Sequence, residues 1–105
     1  MSFASLALAA PDVLEEARLR AWLETLPGTI LRAKGFARVV DAAGGVSTRA
    51  CQVAARRLRM TPPMQGEHAA HGTQSVIVFI GFIDAQTEAV LRGGLLACRR
   101  VEVSH

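Results

Sequence analysis

The run Ser75-Val76-Ile77-Val78-Phe79-Ile80-Gly81-Phe82-Ile83 constrains the fold more than any other part of the chain. Nine residues without a charge are too few to cross a membrane as a helix, which takes about 18 or more. They carry no 3.6-residue stripe, so they read as a central strand, covered on both faces or strongly paired. A central strand requires neighbours from the rest of the sequence. The chain has 105 residues, half of them hydrophobic. That is enough for a single domain over residues 1–105 with a core that needs no disulfide or metal to hold it.

Residues 3–9 alternate loosely and predict a strand with Leu6 and Leu8 inward. Pro11-Asp12 ends it, and Asp12 with Glu15 has capping-box spacing. Leu19, Trp22, Leu23 and Leu26 then recur at i, i+3, i+4 and i+7, the apolar stripe of an amphipathic helix that Pro27-Gly28 stops. Phe36–Val40 predicts a strand, with Arg32-Ala33-Lys34-Gly35 interrupting the pattern before it. Residues 41–45 form a turn, residues 46–59 one further charged strand with a wet face, and residues 61–74 a loop. After the central strand, Asp84 caps a last helix in which Leu91, Leu95 and Cys98 share a face. The order β-α-β-β-β-α predicts an α+β two-layer sandwich: a mostly antiparallel four-stranded sheet with helices on one face.

Twelve basic against nine acidic residues leave a net charge of +3, and eleven of the twelve are arginine. Arg49, Arg57 and Arg59 would form a basic stripe on one strand face. RNA-binding sheets interleave such stripes with aromatics, and the five here (Phe3, Trp22, Phe36, Phe79 and Phe82) are assigned to the core, so nucleic acid is not the expected partner. Cys51 and Cys98 form no CxxC pair and read as small buried hydrophobes in a reducing compartment. The N-terminal apolar stretch lacks a positive n-region, so a cytoplasmic location is expected, with no membrane partner. No nucleophile elbow, no Cys–His pair and no carboxylate pair in an apolar setting is present, and the chain is not expected to be an enzyme.

Two constellations carry chemistry. Arg32 and Lys34, two apart on an extended segment, present paired positive charge to one side, suited to a phosphate, a carboxylate or a partner domain. The competing role for Arg32 is an ion pair within the domain. Glu67-His68-Ala69-Ala70-His71 has the spacing of a small metal site for Zn, Co or Ni, with His68 and His71 as nitrogen ligands and Glu67 as an oxygen ligand. Three ligands at most, on a loop, make a sparse set.

The segment Ala21-Trp22-Leu23-Glu24-Thr25-Leu26-Pro27-Gly28-Thr29-Ile30-Leu31-Arg32-Ala33-Lys34-Gly35-Phe36 resembles the CobW C-terminal domain, in which a helix ending in Trp-Leu precedes an Arg-Ala-Lys-Gly signature entering a strand. Val78-Phe79-Ile80-Gly81 is similar to that family's final strand, and the resemblance spans about residues 3–100. It implies an accessory domain that follows a P-loop GTPase domain in proteins linked to cobalamin synthesis and metal delivery. Neither G-x-x-x-x-G-K-[ST] nor Cys-x-Cys-Cys occurs in this sequence, so GTP hydrolysis does not transfer with the resemblance. The implied partner is a P-loop GTPase domain or a metalloprotein target. The alternatives are a stand-alone metal-binding module using the His68/His71 loop and a protein-interaction or homodimerisation module using an exposed sheet edge.

Overall fold

The computed structural model describes residues 3–62 and 74–100. The elements are β1 (Phe3–Ala10), β2 (Leu14–Glu15), α1 (Glu16–Leu23), β3 (Ile30–Val40), β4 (Val46–Ala54), β5 (Arg57–Thr61), β6 (Ser75–Phe82) and α2 (Ala85–Ala97). The main sheet path runs β1-β6-β3-β4-β5, antiparallel throughout, and β2 adds to β3 in parallel. The α+β architecture therefore stands, with six strands in place of the expected four. The run at 75–83 gives β6, Ser75–Phe82, an interior strand paired on both sides by β1 and β3, as the expectation of a strongly paired strand has it, and helices cover only one of its faces.

Both extra strands have physical causes. Residues 46–59 do not form one strand, because the backbone folds back at Ala55 and Arg56, with φ of 51° and 63°. That left-handed pair reverses the chain, and Ala54 pairs with Arg57, Gln52 with Arg59 and Ala50 with Thr61. At the start of α1 the Asp12–Glu15 capping box is not made: Glu15 is the N-cap residue and has no side-chain cap bond. Instead Leu14 and Glu15 pair with Val39 and Val40. The Glu15 N–H donates to the Cys98 carbonyl at 2.7 Å, and the Arg100 N–H donates to the Val13 carbonyl at 2.9 Å. Sheet pairing and the end of α2 thus satisfy donors that a capping side chain would otherwise serve.

One face of the sheet carries the core. Leu8 and Ala10 from β1, Ala33, Ala37 and Val39 from β3, and Ile77 and Phe79 from β6 meet Leu19 and Leu23 of α1 and Leu91 and Leu95 of α2, all buried. Each fully buried leucine or isoleucine is worth roughly 1.5–3 kcal/mol of apolar transfer. Trp22 meets Phe79 edge-on at 5.7 Å between ring centroids. A Cβ at Gly94 of α2 would collide with the Trp22 indole, so glycine there lets the two helices close over the ring. Gly35 plays the same part in the sheet: a Cβ there would overlap the Val76 carbonyl oxygen and lie 2.7 Å from Ile77 Cα. At the end of the β3–β6 ladder the buried Ser75 hydroxyl accepts from the Arg38 N–H at 2.9 Å.

Asp84 caps α2 as expected, accepting from the Thr87 N–H at 2.7 Å. That bond lowers the Asp84 carboxyl below its ordinary value. A carboxylate lowered by folding stabilises the fold above its unfolded pKa and loses that contribution as pH falls through its folded value. Asp84→Ala is accordingly expected to lower Tm at neutral pH. The gap to the wild type should close as the carboxyl protonates below the usual carboxylate range, and a pair of melts at each pH checks it.

Candidate functional site

Strand alternation decides which side chains reach the face that neither α1 nor α2 covers. Leu58 and Met60 of β5 pack against the core, so Arg57, Arg59 and Thr61 fall on the opposite face. The ladder registers place those residues in rows. One row runs Ser5, Ile80, Arg32, Ala54 and Arg57, and the next Ala7, Val78, Lys34, Gln52 and Arg59. A third runs Ala9, Val76, Phe36, Ala50 and Thr61. The open face is therefore apolar over β1 and β6 and basic over β3 to β5, and β3 is the boundary.

Arg32 and Lys34 stand on that boundary, both exposed and on the same side, as their spacing predicted. A register shift between Ile30 and Arg32 brings this about, by re-phasing the strand so that Ile30 and Ala33 both turn to the core. Neither cation has an ion-pair partner among the described residues; the pairs there are Arg18–Glu15 at 2.9 Å, Arg92–Glu88 at 2.9 Å and Arg99–Asp12 at 3.6 Å. Arg32, Lys34, Phe36, Gln52, Val78 and Ile80 line a groove of about 460 Å³. A larger hollow of about 590 Å³ lies beside the end of α2, but Arg18 and Arg99 in it are already paired with Glu15 and Asp12. Arg100 also lines that hollow, and what favours the groove on the open face is its apolar lining of Phe36, Val76, Val78 and Ile80 beside exposed Arg32 and Lys34.

Two readings of the arginines and aromatics change. Arg49 does not join Arg57 and Arg59, because it shares the parity of buried Cys51 and Val53 and lies on the helix-covered face. Its Nε is buried without a hydrogen-bond partner among the described residues. The residues that do join Arg57 and Arg59 are Arg32 and Lys34, a grouping hidden until 46–59 is split into a hairpin. The aromatics are not all core either. Phe3 is 62% exposed and stacks on Phe82 with centroids 4.6 Å apart, at the apolar end of the open face, and Phe36 lies on that face too.

Cys51 and Cys98 are free and buried. Burial pushes the Cys51 thiol up to about 12, and Cys98 upward as well, so neither is a thiolate nucleophile near neutral pH. Glu67, His68 and His71 lie outside the described residues. Among the described residues no group of three or more His, Cys, Asp or Glu gathers to hold a metal, and no helix is long and apolar enough to cross a membrane.

The family described as the cobalamin synthesis protein cobW C-terminal domain matches residues 3–99. Among solved structures, the Zn(II)-bound YjiA GTPase from E. coli is similar at 19% identity with a TM-score of 0.66. A Zn(II)-bound triple mutant of YjiA GTPase is similar at 20% identity with a TM-score of 0.64. Each match covers 93% of this chain and 30% of the other, so the chain spans under a third of those GTPases. At these identities the likeness is one of fold. No curated protein matches the chain.

Proposed function

Since this chain belongs to the CobW C-terminal domain family, we propose that it is a non-catalytic accessory domain that docks on a CobW-type P-loop GTPase domain through its open sheet face. The observation that carries this reading is the position of Arg32 and Lys34, without an ion-pair partner among the described residues and side by side where the apolar and basic halves of that face meet. Apolar surface supplies contact area, and the flanking charges select an acidic partner and set its orientation. Arg32 acts as a clamp on a carboxylate of the partner, since a guanidinium holds carboxylates in a two-pronged geometry that an ammonium cannot match. A role in metal or cobalamin handling follows for the assembly, with the GTPase domain as the part that turns over nucleotide.

Titration calorimetry with a CobW-type P-loop GTPase domain supplied in trans tests the docking. The Arg32→Ala/Lys34→Ala variant is expected to bind about tenfold more weakly, the loss of roughly 1.4 kcal/mol, and wild-type binding should weaken with added salt. Arg92→Ala, on α2 away from the groove, should bind as the wild type does. Equal affinity for the double variant and the wild type would remove Arg32 and Lys34 from the interface.

Glu67, His68 and His71 keep their sequence-based assignment as a metal site for Zn, Co or Ni. The Zn(II) named for YjiA is that protein's ligand.

A further inference from the structure

The two edges of the sheet differ in the way that decides what strands add to them. β5, at one edge, is five residues long and carries Arg57 and Arg59. β1, at the other, has eight residues, Phe-Ala-Ser-Leu-Ala-Leu-Ala-Ala, with no charge and no proline. Its ladder to β6 runs unbroken from Phe3↔Phe82 to Ala10↔Ser75, so no bulge twists the edge away. Among the described residues β1 pairs with β6 alone, which leaves its outer row of backbone N–H and C=O groups free to bond.

We propose that β1 pairs antiparallel with β1 of a second copy, joining two domains into one continuous sheet. The strand complements itself. With the two-fold axis at Leu6, Phe3 stands opposite Ala9, Ala4 opposite Leu8 and Ser5 opposite Ala7, so each of these large side chains meets a small one and both faces keep their character. The same pairing at β5 would set Arg57 and Arg59 close to their own copies, and like charges across a ladder repel. One layer below, Leu96 of α2 is 49% exposed and shares a small hollow with Leu8, Ala9, Leu95 and Arg92, whose charge is paired with Glu88. The partner's edge closes over the exposed Leu96 there. This surface is separate from the groove at Arg32 and Lys34, so the dimer leaves the docking face open.

Sedimentation of the whole chain over a concentration range of about 100-fold tests the proposal. A concentration-dependent dimer is expected, unchanged by chelator. Ala7→Lys places charge at the centre of the edge and should weaken it at least about tenfold, whereas Thr61→Lys on β5 should not. Leu6→Cys should cross-link to its own copy on mild oxidation, because the two-fold sets Leu6 opposite itself. That readout decides the matter if Ala7→Lys melts early. A wild type that stays monomeric throughout overturns the proposal. So does a dimer that survives Ala7→Lys, and so does a Leu6→Cys chain that fails to cross-link.

Discussion

Gly35→Ala is expected to cost about 3 kcal/mol or more of folding free energy and to lower Tm by about 15 °C or more. The added methyl has nowhere to go. It would overlap the Val76 carbonyl oxygen and crowd Ile77 Cα at 2.7 Å, and both belong to the backbone of the central strand. A long side chain in the way could rotate aside, whereas a ladder strand held on both edges moves only by breaking its own bonds. Val76 and Ile77 are paired with β1 as well as β3, so any shift spreads through three strands. Thermal and urea melts followed by circular dichroism measure the loss. A midpoint within a few degrees of the wild type would mean that β3 and β6 do not approach as closely as described.

Phe79→Ala is expected to cost about 3–5 kcal/mol, the range for deleting a buried aromatic ring. Phe79 is fully buried on the core face of β6, and its ring meets Trp22 edge-on, which joins the sheet to α1. Gly94 brings α2 against the same indole. The cavity would therefore open where sheet and both helices converge, with few side chains positioned to collapse into it. Trp22 is the only tryptophan, so its fluorescence should change in the folded variant along with the fall in the urea midpoint. An unchanged midpoint and spectrum would argue that Trp22 and Phe79 are not packed together.

These two sites also mark how far the sequence could be read. The run at 75–83 announced its own position, because an uncharged segment of that length has few places to go in a small domain. The α1 stripe was equally plain: Leu19 and Leu23 are buried where the 3.6-residue period put them. Leu14–Glu15 was not legible, since two residues have no period and their pairing depends on where β3 and the end of α2 happen to lie. Nor was the β4–β5 turn, which uses Ala55 and Arg56 at positive φ where glycine or asparagine would have signalled a reversal. That one hidden turn concealed the basic flank of the open face. Arg32 and Lys34 were visible as a pair by simple alternation, whereas Arg57 and Arg59 reach them only across a hairpin that the residue types do not advertise. The charges at 32–35 looked like an interruption of strand pattern for a related reason. They belong to the face that neither α1 nor α2 covers, where a strand has less need of apolar residues, and the register shift before Arg32 breaks the alternation that would have revealed it.

The place of β1 beside β6 has a consequence for the order in which the domain assembles. Its only ladder partner among the described residues is about 70 residues away along the chain, from Ala10↔Ser75 to Phe3↔Phe82, and pairings of such long range form late because a large loop must close first. On the ribosome β3, β4 and β5 can zip into a meander while β1 waits, bare on both edges, for β6 to be synthesised. An uncharged eight-residue strand left waiting is the part of this chain most exposed to mispairing. Expression yield should therefore depend more on the speed of translation between residues 10 and 82 than on the stability of the finished fold.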